Sequence, residues 1–165
     1  MSQPLESFIK TQALICAILN MVLNPTLAWM LNPSMADVPM IGGNGLVVDT
    51  AVTCVLLSVL VSLFTTAGLA RALRTGQIPE DCSLPGAGPL LSLMPRGAWA
   101  LGLTLGIGLA AILPAVAFGI FWTIGVSSMP FAGFALYKCL YTGALGYAAT
   151  RWVILRQVQP TREDG

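Results

Sequence analysis

Lys138 is the residue from which a chemical reading of this sequence starts. It stands in Tyr137-Lys138-Cys139-Leu140-Tyr141, inside a stretch otherwise apolar enough to enter a bilayer. An ammonium at the centre of a membrane helix costs about 2.5–3.5 kcal/mol on an insertion scale, so it has to be sheltered by partners or by a polar cavity. Three kinds of chemistry are open to it there. It can neutralise an anion, it can pair with a carboxylate, or, with its pKa lowered by burial, it can act as a base or nucleophile. The natural carboxylate is Asp49, near the boundary of another apolar stretch, which a lysine reaches by extending along its apolar stem.

Neutral groups fall at a similar depth. At 1.5 Å per residue, Lys138 lies roughly 12 Å below one membrane boundary and Ser58 roughly 16 Å below it, while Asn20 and Asn24 lie roughly 18 and 24 Å above the other. With Tyr141 they make a candidate polar layer around the lysine. Lys138, Tyr141 and Thr142 share one helical face, which is expected to turn toward the first two apolar stretches rather than toward lipid. Gln12, Cys16, Asn20 and Asn24 recur every four residues and so form one stripe; Thr50, Cys54, Ser58 and Ser62 form a second. Such stripes also serve as interhelical glue, worth well under about 2 kcal/mol per contact, and a buried Lys–Asp pair can exist simply to fix helix register.

Other chemistries are poorly supplied. There is no histidine, which removes bis-His haem, the usual catalytic zinc sites and His general-base catalysis. The four cysteines, Cys16, Cys54, Cys82 and Cys139, are too far apart in sequence for a C-x-x-C redox pair or a metal knuckle. The run Gly42-Gly43-Asn44-Gly45 lacks the lysine and spacing of a phosphate loop and reads as a flexible turn. The acids are scattered, so no catalytic carboxylate pair is formed, and neither a cofactor nor a metal is expected. An enzyme is the least supported class.

The elements that must position these residues follow from composition. Of the 165 residues, 56% are hydrophobic and 9% charged, with a mean hydropathy of +0.80, far from the quarter or so of charged residues usual in soluble domains. This predicts an all-α integral membrane protein, a single membrane domain over residues 1–165 built as a four-transmembrane-helix bundle. The spans are expected at about 8–30, 47–69, 98–124 and 130–153, each near the 20 residues that a bilayer core demands. A loop, 70–97, is rich in proline and charge, with Pro89-Leu90-Leu91-Ser92-Leu93-Met94 able to rest on the membrane surface. The tail is 154–165. Pro25 and Pro114 are expected to kink the first and third spans. Gly102, Gly106 and Ala110 have the small-x-x-x-small spacing that lets helices approach closely, either within the chain or between copies. Trp99 and Trp122 mark opposite ends of the third span. The short link after it predicts that the third and fourth spans form a hairpin.

Seven of the eight basic residues, all but Lys138, fall at the start of the first span, in the second loop, or at the end of the fourth span and in the tail. By the positive-inside rule both termini and the 70–97 loop are expected in the cytoplasm (N-in/C-in) of a cell membrane of bacterial inner-membrane type. A near-neutral charge balance, eight Lys/Arg against seven Asp/Glu, gives no footing for nucleic acid. Cys54 and Arg71 match Cys139 and Arg156 at one offset, a faint sign of two tandem helical hairpins. Two functions fit. One is a transporter or permease of a small solute or ion, which with so few helices needs a homo-oligomer; the other is an accessory or assembly subunit of a larger membrane complex.

Overall fold

The computed structural model describes residues 3–32, 34, 36–78, 91 and 93–159. Cys82, the prolines 33, 79, 85 and 89, the acids Glu80 and Asp81, half of the segment 89–94 expected at the membrane surface and the end of the tail lie outside the described residues. Four long helices carry the fold: α1 (Gln3–Leu31), α2 (Leu46–Arg74), α3 (Ala98–Thr123) and α4 (Phe131–Val158). Two short strands, β1 (Asp37–Pro39) and β2 (Ser128–Pro130), precede α2 and α4.

α1, α2 and α4 outrun the expected spans at the end where the basic residues gather, because nothing in sequences such as Ala70-Arg71-Ala72-Leu73-Arg74 interrupts a helix, while α3 starts where expected. What stops α2 is Gly76, whose φ of 70° is left-handed. Its N–H bonds to the Leu73 carbonyl at 3.1 Å while that of Gln77 bonds to Ala72 at 3.0 Å, the paired bonds of a Schellman stop. Gly125, with φ 74°, ends α3 in the same way through bonds to Trp122 and from Val126 to Phe121. Pro25 and Pro114 lie inside unbroken helices.

Three helices are long and apolar enough to cross a membrane: Leu5–Leu31, Leu46–Arg74 and Ala98–Thr123. The fourth, at 28 residues, is long enough but carries Lys138, Arg151 and Arg156, and by length and composition it is not among them. The outer helices turn much apolar surface outward: Ile18, Val22 and Trp29 on α1 and Ile107, Ile112 and Trp122 on α3 are all more than half exposed. A surface of that kind is covered by lipid in a membrane protein and is rare on a soluble monomer.

Packing does not follow the chain. α1 packs on α4, α4 on α2 and α2 on α3, so the helices run in the order α1, α4, α2, α3. The α3–α4 hairpin expected from the short link is therefore not a closely packed pair; its contacts include Phe121 with Tyr137, whose rings meet edge-on at 5.8 Å, and Leu101 and Leu105 with Val153. The reason is that the glycines of α3 fit α2 instead. A Cβ on Gly102 would stand 2.7 Å from the Val59 Cα, and one on Gly106 would stand 2.8 Å from the Val55 Cα. Backbones this close have no room for a larger residue. Ala110 continues the seam onto the cluster of Cys54, Leu57 and Leu145.

The glycine run 42–45 lies in turns and bends as expected, but residues 37–39 just before it form a strand. β1 pairs with β2 antiparallel, Val38 opposite Met129, and both of these side chains are buried with Met40, Leu46, Ala117 and Phe134. The Phe131 N–H bonds to Ala36 O and the Met40 N–H to Ser127 O, so the two connections at this end are tied together. At the other end Leu5, Ile9, Leu69, Ala72, Ile78 and Ile154 make a second cluster.

The chain thus repeats helix–strand–helix. Exchanging α1 with α3 and α2 with α4 leaves both the packing order and the ladder unchanged, and the first residues of α2 and α4 stand at the same offset as the Cys54/Cys139 and Arg71/Arg156 matches. At that offset Asp49 corresponds to Phe134, and Thr53 to Lys138.

Candidate functional site

Asp49 lies in the first turn of α2, and Lys138 lies two turns into α4, roughly 10 Å from its start. Because both helices begin at the ladder end, the lysine stem extends back toward the carboxylate. Its Nζ donates to Asp49 Oδ1 at 2.5 Å and Oδ2 at 2.7 Å, and to Thr53 Oγ1 at 3.3 Å. The ammonium also lies 5.5 Å from the centre of the Phe134 ring, within cation–π range. The lysine side chain is 6% exposed and that of Asp49 is 28% exposed. Charge is thus buried beneath a carboxylate that still reaches the surface.

Thr142, one turn beyond the lysine, donates to Lys138 O at 2.7 Å and to Asn20 O of α1 at 3.0 Å. That contact fixes α1 against α4 beside Gly143 and Gly146. Added Cβ atoms at these glycines would meet Met21 Cγ at 2.4 Å and Asn20 Nδ2 at 2.9 Å. On α1 itself, Asn20 Nδ2 donates to Cys16 O at 2.8 Å and Cys16 Sγ at 3.3 Å, while Asn24 Nδ2 donates to Asn20 O at 3.2 Å and Asn20 Oδ1 at 3.0 Å. Three members of the stripe read in the sequence, Cys16, Asn20 and Asn24, are thus linked by side-chain bonds running along one helix.

Between α1 and α2 lies a groove of about 560 Å³, with Asn20, Asn24, Asp49, Thr53 and Lys138 among its lining residues. Its walls are Leu, Ile and Val side chains of both helices, and it runs from Gln12 and Thr65 at one end to Asn32 and Asp49 at the other. Asn20 and Asn24 thus share this space with the ion pair. The remaining two candidates do not. Ser58 is fully buried on the opposite side of α2, its carbonyl oxygen 3.0 Å from where a Gly102 Cβ would be. Tyr141 stacks on Tyr137 at 4.8 Å, on the flank of α4 where Tyr137 meets Phe121 of α3. Among the described residues the Ser58 and Tyr141 hydroxyls are buried without a hydrogen-bond partner.

Sequence reasoning passed over Thr53, Phe134 and the glycines 143 and 146. Thr53 was findable, since it follows Asp49 by one helical turn. Phe134 was equally findable, since it precedes Lys138 by one turn on the same helix. Tyr137 adds a second link between α2 and α4, its hydroxyl 3.1 Å from Thr50 Oγ1. Among the described residues no group of three or more acidic or cysteine side chains could hold a metal.

No protein-family model matches the chain, and no curated protein or solved structure matches it either.

Proposed function

We propose that this protein is a four-span membrane permease of a small solute or ion, with both termini and the 70–97 loop in the cytoplasm. Its path is the α1–α2 groove, and its moving part is the Lys138–Asp49 pair. The observation that carries this reading is an ion pair lining an elongated groove between two lipid-depth helices. Intramembrane ionisable groups of this kind commonly mark a substrate or ion pathway. α4 crosses as the fourth span because its charged residue is paired on its inner side, which offsets the cost that an isolated helix would bear.

A test uses purified protein in proteoliposomes and a panel of labelled organic cations, anions and neutral solutes. Saturable uptake of at least one class is expected, lost in Lys138→Met while that variant remains monodisperse. The accessory-subunit reading has its own support, since the lysine is fully satisfied inside the bundle, as a register lock would be. Absence of flux for the whole panel, together with a stoichiometric companion recovered from the native membrane in mild detergent, would replace the permease by that subunit. The orientation is tested through a native thiol: a membrane-impermeant maleimide should label Cys82 in inverted vesicles and not in intact cells.

A further inference from the structure

The polar atoms of the groove differ in what they have left to offer. A lysine ammonium has three N–H donors, and those of Lys138 go to Asp49 Oδ1, Asp49 Oδ2 and Thr53 Oγ1. A side-chain amide has two, and both Asn20 and Asn24 direct theirs within α1. At the level of the ion pair, every side-chain donor of these three residues is therefore committed. The acceptors are not. The Asp49 carboxylate offers about four lone-pair sites, of which Lys138 takes two, and it is the more exposed partner. Asn24 Oδ1 has no donor among the described residues. An anionic ligand would find none of these N–H groups open, with only the second Asn32 amide N–H left at that end of the groove, and would face the exposed carboxylate. A cation bearing N–H groups would find acceptors on two sides.

Shape narrows the choice further. The groove follows α2 from Asp49 to Thr65 and α1 from Gln12 to Asn32, a length of roughly 24–30 Å at 1.5 Å per residue. The groove is thus an elongated slot rather than a compact pocket, a shape that suits an extended chain better than a compact solute. Leu19, Leu23, Leu56 and Leu60 wall it and are each about half exposed.

We propose that the α1–α2 groove binds a single-chain alkylammonium, its N–H groups on Asp49 and Asn24 and its hydrocarbon along the leucine walls. This names the substrate class of the permease and rests on that reading for its place in transport, though binding can be measured without flux.

The experiment titrates the protein in lipid nanodiscs with radiolabelled n-decylammonium, subtracting uptake by empty nanodiscs. Two probes of the same chain length are run beside it: decyltrimethylammonium, which keeps the charge and has no N–H, and decanoate, which reverses the charge. The expected result is one saturable n-decylammonium site per chain, at least tenfold tighter than for the trimethyl analogue, with no saturable decanoate binding. Lys138→Met should tighten n-decylammonium binding at least tenfold by freeing the carboxylate. Leu56→Trp, on an exposed wall position that places no demand on the core, should abolish it. Saturable decanoate binding that disappears in Lys138→Met would overturn the proposal in favour of an anion site. Equal affinity for the two cations, or binding unmoved by Leu56→Trp, would overturn it as well. Solute flux without n-decylammonium binding would overturn this ligand class and leave the permease standing, whereas n-decylammonium binding without any flux would uphold the site and remove the permease.

Discussion

The two outer interfaces of the bundle, α2–α3 and α1–α4, are equivalents under the helix–strand–helix repeat, and they are built from opposite materials. The α2–α3 seam is close and nearly dry: Gly102 and Gly106 press on the backbone of α2, and the main polar contact is Ser62 Oγ donating to Ala98 O at 2.8 Å. The α1–α4 seam also uses two glycines, but what they meet is Met21 and Asn20, and Thr142 bonds across it. The same division holds at the centre. Lys138 touches Asp49, Thr53 and Phe134, and these four residues occupy two pairs of corresponding positions on α2 and α4. Within the duplicated frame the Lys138–Asp49 pair lines the groove beside α1. Backbone contact dominates the α2–α3 seam, whereas side chains fill more of the α1–α4 seam.

The largest effect should come from unpairing the centre. Asp49→Asn leaves the lysine buried without its counter-ion, which for buried pairs costs about 3–5 kcal/mol. With Asp49 partly exposed, about 3 kcal/mol is expected in detergent unfolding. Combining it with Lys138→Met should return stability to within about 1 kcal/mol of the parent, because no buried charge is then left alone. If the single and double variants unfold alike, the pair does not couple the helices.

The seams should respond unequally to an added methyl. Gly106→Ala forces α2 and α3 apart at a backbone contact and should cost about 1–3 kcal/mol. Gly143→Ala meets Met21 at Cγ and Sδ, side-chain atoms that a change of rotamer can move where a backbone cannot, so a loss smaller than at Gly106 is expected. Equal losses in thermal unfolding would erase the contrast between the two seams.

The smallest change is at the polar bond across the α1–α4 seam. Thr142→Val keeps the shape and removes the hydroxyl from Asn20 O, and membrane-buried side-chain bonds of this kind average about 0.6 kcal/mol. A loss several times larger would mean that α1 is held by this bond rather than by packing.

The four long helices were legible in the sequence as long, mostly apolar segments, three of them long and apolar enough to cross a membrane. Lys138 and Asp49 stood out for an equally local reason: charges are so costly at membrane depth that their mere presence selects them. The ladder was not legible. Asp37-Val38-Pro39 and Ser128-Met129-Pro130 are three residues each and end in proline, too short for a periodic signal and paired across most of the chain. Nor could spacing tell that Ser58 turns toward α3 and Tyr141 toward its aromatic flank, because depth along a helix says nothing of rotation about it.

By itself, the sequence determined an apolar helical protein with its basic residues gathered at one end and a single lysine in need of shelter. Tertiary structure alone decided that α4 lies between α1 and α2, that two distant loops join in a ladder, and that the lysine's three donors are spent within the bundle. The physical reason is that insertion cost depends on one segment at a time, whereas partner choice depends on which backbones can approach and which side chains meet only when they do.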